Sequence, residues 1–304
     1  MFGEHIKRFR EKAGLTQAQL VAQIQTHHEM FSALDEITLS RWENCHTKPS
    51  RKKQIALLIF FDALNDIRTL TVDDIQYAGK FSKILENRYK NIFSKSELPY
   101  ALPSSKVTVT FYEKLPEEKL NFYTNYLEEV NGIKLNLNDF NYMNEDIKKV
   151  GLYEFHSSNG VLMGHLLFII ANNNFIADSL STIVEEKISL EQGLSLYIIT
   201  TYSASKEIYI YRNLLILDCL MSVTEFPKHM FVKVANDAGV SLLDTAEAEI
   251  VGKGLKTNNG VKLYNHQYKW ILFKVNTLNM LSAKEFYFDE ESVEHEFIIN
   301  NATL

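Results

Sequence analysis

The chain has 304 residues, 46% of them hydrophobic and 23% charged, with a formal net charge of −6. This composition suits a folded globular protein of more than one domain and excludes disordered, collagen-like and low-complexity classes. Two cysteines are too few for a disulfide framework. The apolar run GVLMGHLLFIIA is too short and too polar at its histidine for a membrane span. With no signal peptide in view, the expected setting is a reducing cytoplasm.

A first helix is expected from about Gly3 to Ala13, stopped by Gly14, which takes the left-handed conformation without steric cost. Thr16 then caps a second helix through its hydroxyl, leaving Gln17 among unpaired backbone N–H groups where its amide can reach a phosphate oxygen. After the connection QTHHEMFSALDEIT, Asp35 is positioned to cap a third helix running to about Asn44. On it Leu39 and Trp42 share an inward face, and Thr38 and Arg41 share an outward one. Lys48, Arg51, Lys52 and Lys53 follow in a Pro-containing turn and have the character of phosphate clamps.

The set Arg10, Gly14, Leu15, Thr16, Gln17, Leu20, Leu39, Ser40, Trp42, Glu43 and Asn44 resembles the lambda-repressor-like, or XRE-type, helix-turn-helix family over roughly the first 60 residues. The resemblance implies a sequence-specific reader of double-stranded DNA, with the third helix in the major groove. Glu36, Ile37, Thr38 and Arg41 would face the groove, with Ser40 and Asn44 on the same helix. Arg41 is the side chain equipped for bidentate contact to guanine. Arg10 with Glu43 resembles the family's ion pair between the first and recognition helices, a structural role. Two features depart from the pattern. The connection before the third helix is several residues longer, so that His27 and His28 could sit in a wing near DNA. Cys45 also occupies the position where a helix-ending glycine is commonest, so Asn44 is expected to take the left-handed turn.

Charge agrees with that reading. Residues 1–60 hold nine Lys or Arg against six acids, a net of +3, and the remainder of the chain carries −9. A closing helix over 52–64 and a helical connector over 72–93 are expected, with the boundary in ELPYALPSS. The domains so expected are 1–66, a helical connector over 67–105, and 106–304.

From Lys106 onward strands and helices alternate. VTVTFYE reads as a strand, PEEKLNFYTNYLEEV as a helix opened by proline, and VGLYEFHS with VLMGHLLFIIA as a hairpin. SLSTIVEEKI is left unassigned. LSLYIITTY reads as a strand, 207–223 as a helix, MFVKVAN as a strand, 239–251 as a helix, and VKLYNH with YKWILFKV as paired strands. The expected fold is therefore an all-α N-terminal domain followed by a mixed α/β domain on one sheet.

The element order, with LSLYIITTY feeding a long helix and the segment MFVKVANDAGVSLLDTAEAEIVGKG, resembles the GNAT N-acetyltransferase fold. That family holds the pyrophosphate of acetyl-CoA on a glycine-bearing turn before the central helix. Here the corresponding YSASKEIYIYRN has no glycine, and Glu207, Ile208, Tyr209 and Tyr211 are expected to block and repel a pyrophosphate, with Lys206 and Arg212 the only residues that favour one. Tyrosines 197, 202, 209 and 211 read as a pocket lining, a dimer seam or ordinary sheet packing. His156 and His165 bracket the hairpin and could face each other. No P-loop, CxxC, HExxH or G-x-S-x-G pattern occurs. No catalytic residue, cofactor site or metal site is expected.

The leading expectation is thus a non-enzymatic, homodimeric transcription regulator reading a palindromic operator. Its C-terminal GNAT-like module would serve dimerisation or the sensing of a small molecule or peptide. The alternatives are a DNA-tethered, acyl-CoA-dependent acyltransferase and a partner- or peptide-responsive interaction protein.

Overall fold

The computed structural model describes residues 2–70, 83–89, 106–140, 144–184, 188–283 and 297–301. The boundary segment ELPYALPSS and much of the expected 72–93 connector lie outside those residues. The chain divides into two compact units, Met1–Ile75 and Gln76–Leu304.

The first unit packs α1 (Phe2–Lys12), α2 (Gln17–His27), α3 (Glu36–Glu43) and α4 (Arg51–Phe60) around Ile6, Leu20, Ile24, Leu39, Ile55 and Leu57, all fully buried. Gly14 stands at φ 67°, in the left-handed region that ends α1. Thr16 forms a reciprocal capping box with Gln19, and the Asp35 carboxylate accepts from the Thr38 N–H at 2.7 Å. Between α2 and α3 the long connection makes a 3-10 turn, Glu29–Phe31, which buries Phe31 and is followed by buried Leu34. The extra residues therefore add core rather than a wing. His28 caps that turn, and His27 sits edge-on to Phe60. One expectation is corrected at the end of α3. Asn44 keeps φ −90° because its side chain donates to the Ser40 carbonyl at 2.9 Å, and Cys45 takes the left-handed turn at φ 58°.

The second unit contains helix α5, described over residues 83–89, and an eight-stranded sheet with helices on both faces. Its elements are β1 (Val107–Tyr112), α6 (Glu117–Tyr126), β2 (Ile147–His156), β3 (Leu162–Asn172), α7 (Asn173–Ser181), β4 (Leu194–Ser203), α8 (Lys206–Met221), β5 (His229–Val234), α9 (Asp237–Thr245), β6 (Glu249–Lys253), β7 (Lys256–Leu263), β8 (His266–Tyr268), β9 (Ile271–Asn276), α10 (Thr277–Ser282) and β10 (Phe297–Asn301). The strand order is β10-β1-β2-β3-β4-β5-β9-β6, with parallel pairing at β10–β1 and β4–β5 and antiparallel pairing elsewhere. The sheet is mixed, as the element order suggested, with one parallel pair in its interior and one at its edge.

Several elements differ from the expected ones. The helix expected over 239–251 stops at Thr245, because Glu247 turns left-handed at φ 56° and the chain continues as strand β6 on β9. VKLYNH and YKWILFKV do not pair with each other as whole segments. β7 closes a two-stranded hairpin with β8, and β9 joins β5 and β6 in the main sheet. The start of the unassigned SLSTIVEEKI completes α7. His156 and His165 do not oppose each other. His156 pairs with Leu162 across β2–β3, and His165 pairs with Glu154.

Candidate functional site

Two places concentrate unusual chemistry, one in each unit. In the first unit the Arg10 guanidinium grips Glu43 through two bonds, Nε to Oε1 at 2.6 Å and Nη2 to Oε2 at 3.0 Å. Its third arm donates to the Leu15 carbonyl at 3.0 Å. Gln17 also donates to Glu43, at 2.8 Å, so its amide is committed to this buried carboxylate. This network locks α1, α2 and α3 together. Outside it, Glu36, Ile37, Arg41, Asn44 and Lys48 are exposed, and Thr38, Ser40, Arg51 and Lys52 are half-buried. Trp42 is in the core, with the Lys53 ammonium 5.9 Å from its ring centroid.

In the second unit the site begins with strand geometry. β4 and β5 pair only from Ser195↔His229 to Ile198↔Val232, although β4 runs on to Ser203 and β5 to Val234. Beyond Ile198 the two strands part. On its other edge β4 carries a bulge, with Ile198 opposite Phe168 and Thr200 opposite Leu167, so Ile199 is the extra residue. Because side chains alternate faces, that insertion places Thr200 and Tyr202 on the α6 side, with His165 and Leu167, and Thr201 and Ser203 on the α8 side.

A cavity of about 480 Å³ opens where the strands diverge. Such a volume lies in the range of ligand pockets, roughly 300–1,000 Å³. Arg88, Arg212, Lys233 and Lys269 line it, and no Asp or Glu does so among the described residues. Its apolar and aromatic walls include Tyr126, Tyr202, Tyr209, Trp270 and Ile216.

Arg212 projects from α8 to the cleft rim, with Nη1 donating to Thr201 Oγ1 at 3.2 Å and the guanidinium 4.4 Å from the Tyr209 ring centroid. Lys233 is 9% exposed, and its Nζ has no hydrogen-bond or ion-pair partner among the described residues. Removal from water disfavours the charged form, so burial pushes its amine from the ordinary 10.5 down to about 7.

On the α6 side a polar cluster supports the cleft. Glu154, almost fully buried, accepts from Lys119 Nζ at 2.8 Å and from the Tyr123 hydroxyl at 3.0 Å. His165 is buried with Nε2 at 3.1 Å from Thr200 Oγ1. Burial, followed by the nearby Arg212 and Lys233 cations, pushes its pKa down to about 3, so it is neutral at physiological pH.

Of the residues for which the sequence left a pocket or phosphate role open beside ordinary packing, Tyr202, Tyr209 and Arg212 line the cavity, while Lys233, Lys269 and Thr200 were not singled out. The one available signal was the lysine inside the otherwise apolar strand MFVKV. Of the side chains expected to obstruct the turn before α8, Ile208 and Tyr211 pack against neighbouring side chains. Ile208 packs beneath Gly164, whose added Cβ would lie 2.9 Å from the Ile208 Cγ2, and Tyr211 stacks on Phe297 at 4.2 Å between centroids. Tyr209 lines the cavity under Arg212, and Tyr197 is core. Small residues, Ser203, Ala204 and Ser205, form the turn itself, and Ser205 caps α8 through the Ile208 N–H. Among the described residues no cluster of metal-ligating side chains occurs, and no helix is long and apolar enough to cross a membrane.

No family model matches the chain, and no curated protein matches it. Solved structures do. The chain is similar to Arabidopsis thaliana NAA60, crystallised with acetyl-CoA, at 14% identity and a TM-score of 0.33, over 55% of this chain and 99% of that one. It is similar to a Sphaerobacter thermophilus protein assigned as an acetyltransferase, at 9% identity and a TM-score of 0.29, over 58% of this chain and 99% of that one. A Corynebacterium glutamicum structure described as histone acetyltransferase HPA2 and related acetyltransferase matches at 10% identity and a TM-score of 0.30, over 56% and 97%. At these identities the likeness concerns the fold. The expectation of a non-enzymatic chain is corrected to this extent: the solved structures it is similar to carry acetyltransferase names.

Proposed function

We propose that this protein is an acyltransferase carried on a DNA-binding head, with an acyl-CoA thioester as the acyl donor in the β4–β5 cleft. The observation that carries the reading is the divergence of two parallel strands over a cationic cavity that no carboxylate lines among the described residues. An acyl-CoA matches each part of that description. Its slender arm contains amides that can pair with the backbone groups β4 and β5 leave unpaired past Ile198 and Val232. Its phosphates suit the Arg88, Arg212 and Lys269 cations. Its acyl end suits the apolar wall at Ile216 and Trp270. Orphaned buried donors, Arg212 Nε and Asn213 Nδ2, line the same cavity and fit an acceptor-rich ligand. When bound, the thioester supplies an activated carbonyl. The chain's own contribution is to hold it in a site walled by aromatic side chains.

What supports the DNA-binding half is the two-faced α3. Leu39 and Trp42 are buried while Ile37, near the helix start, is 71% exposed beside exposed Glu36 and Arg41. An exposed Ile37 beside Glu36 and Arg41 on the outward face of a capped helix is suited to apolar contact with thymine methyl groups in the major groove.

The test is calorimetric titration of the full chain with acetyl-CoA and with coenzyme A. Saturable binding that weakens with salt and with Arg212→Met is expected. Absence of any saturable binding would refute the acyl-CoA reading. Selection of DNA sequences on the full chain tests the head, with enrichment of a specific site expected and uniform, salt-sensitive retention of all sequences counting against it.

A further inference from the structure

We propose that Lys233 is itself an acyl acceptor, so that the protein acylates its own cleft; the inference rests on an acyl-CoA being the cleft's ligand. Lys233 is placed for this by the sheet. It is the first residue of β5 beyond the last paired position, Ile198↔Val232, and lies across the opening from the bulge at Ile199. Its neighbours on β5, Val232 and Val234, point to the α9 side, where Gly239 packs on Val234, while Lys233 shares the opposite face with Leu272 and Phe231. The amine therefore enters the cavity from the α6 side, alongside Thr200.

Three observations separate it from an ordinary structural lysine. The side chain is more than nine-tenths buried, and among the described residues Nζ has no partner and the cavity wall carries no carboxylate. A buried ammonium in such surroundings is unstable, and the group sheds its proton instead. Burial holds its pKa near 7, so a large share of the amine is neutral and nucleophilic at neutral pH. The other cationic groups on the wall are the Arg88 and Arg212 guanidiniums, which are poor nucleophiles, and Lys269, which is only half-buried.

In the reaction the Lys233 Nζ lone pair attacks the thioester carbonyl carbon. The C–N bond forms, the C–S bond breaks, and the amine's proton goes to the departing thiolate. The products are an amide on Lys233 and a free thiol, and no further reactant is needed. The amide is uncharged, so acylation removes the ionisable group from the cavity and fills part of it, making the modification self-limiting at one acyl group per chain.

The experiment incubates the full chain with isotope-labelled acetyl-CoA, follows intact mass, and maps the label by peptide mass spectrometry. Calorimetry with coenzyme A runs in parallel. One acetyl group per chain on Lys233, saturable in acetyl-CoA, is expected. Lys233→Arg should abolish that label, and Lys262→Arg, at an exposed lysine on β7, should keep it. Lys233→Met, folded by circular dichroism, should also lack it. Saturable coenzyme A binding with Lys233 unmodified would overturn the acceptor role and leave the acyl-CoA reading standing. Label spread over surface lysines without saturation, and unchanged in Lys233→Arg, would overturn it as well. No coenzyme A binding would remove the underlying reading and the inference together.

Discussion

Replacing Lys233 by methionine keeps most of the length and volume of the side chain while removing its ionisable group. In the unfolded chain the amine titrates near the ordinary 10.5, and in the folded cleft near 7. At about 1.4 kcal/mol for each pH unit of separation, that gap corresponds to an upper value of about 5 kcal/mol. The sign follows from proton counts. Between pH 7 and 10.5 the unfolded state binds more protons than the folded state, so the wild type gains stability as pH rises. The cost of burying the amine is fully present below pH 7 and disappears as pH approaches 10.5. Lys233→Met should therefore be more stable than wild type at pH 6 by a few kcal/mol, and the advantage should shrink by up to about 1.4 kcal/mol per pH unit between pH 7 and 9. Urea unfolding at pH 6, 7, 8 and 9, with hydrogen exchange on peptides spanning β5 as a local readout, measures it. Arg88, Arg212 and Lys269 are common to both proteins, and His165, which burial and the Arg212 and Lys233 cations hold down to about 3, is neutral in the wild type across pH 6 to 9, so the pH dependence of the difference is read as that of the Lys233 amine. A stability difference that is the same at pH 6 and pH 9 would refute the reasoning, because it would mean the amine finds a compensating partner or water in the folded state.

Other outcomes follow from the same geometry. Glu43→Ala strands the Arg10 guanidinium in a largely buried setting and should destabilise the first unit by about 3 kcal/mol, seen as early loss of Trp42 burial in urea. Ile37→Ser removes an exposed side chain, so thermal stability should move by no more than about 0.5 kcal/mol while affinity for a selected DNA site falls. If only stability changed, α3 would not be a contact surface. Arg41→Ala should lose specific affinity by about 10- to 100-fold while keeping salt-sensitive retention, and unchanged footprints would refute the helix register. Gly164→Ala forces a Cβ to 2.9 Å from both the Ile208 Cγ2 and the Tyr202 carbonyl oxygen. It should cost about 1–3 kcal/mol and weaken coenzyme A binding by shifting the bulged end of β4.

Local features were legible in the sequence because they are set by neighbours a few residues away. Gly14, Thr16 and Asp35 dictate where helices stop and start, since a left-handed turn and a side-chain cap need nothing beyond their own segment. The inward placement of Leu39 and Trp42 follows from helical spacing alone. The strands of the hairpin and of β4 and β5 were readable for the same reason, being runs of β-branched and aromatic residues between turns. Asn44 and Cys45 were misassigned because the choice between them depends on whether the Asn44 amide bonds back to Ser40, a contact of the folded helix end.

Tertiary structure decided the rest. Lys233 in MFVKV could not be distinguished by pattern from a lysine snorkelling off an edge strand, and its burial depends on where β4 and β5 stop pairing. The bulge at Ile199, which turns Thr200 toward His165 and Thr201 toward Arg212, exists only in the pairing of β4 with β3. Ile208 and Tyr211 were expected as obstacles because sequence lists side chains without directions; the fold sets Ile208 against Gly164 and Tyr211 against Phe297. That no carboxylate lines the cleft among the described residues is likewise a property of five or more segments brought together, and composition, with its excess of acids, pointed the other way. Spacing along the chain determines secondary structure and faces; which faces meet, and what charge that leaves unpaired, is determined only when distant segments share the same small volume.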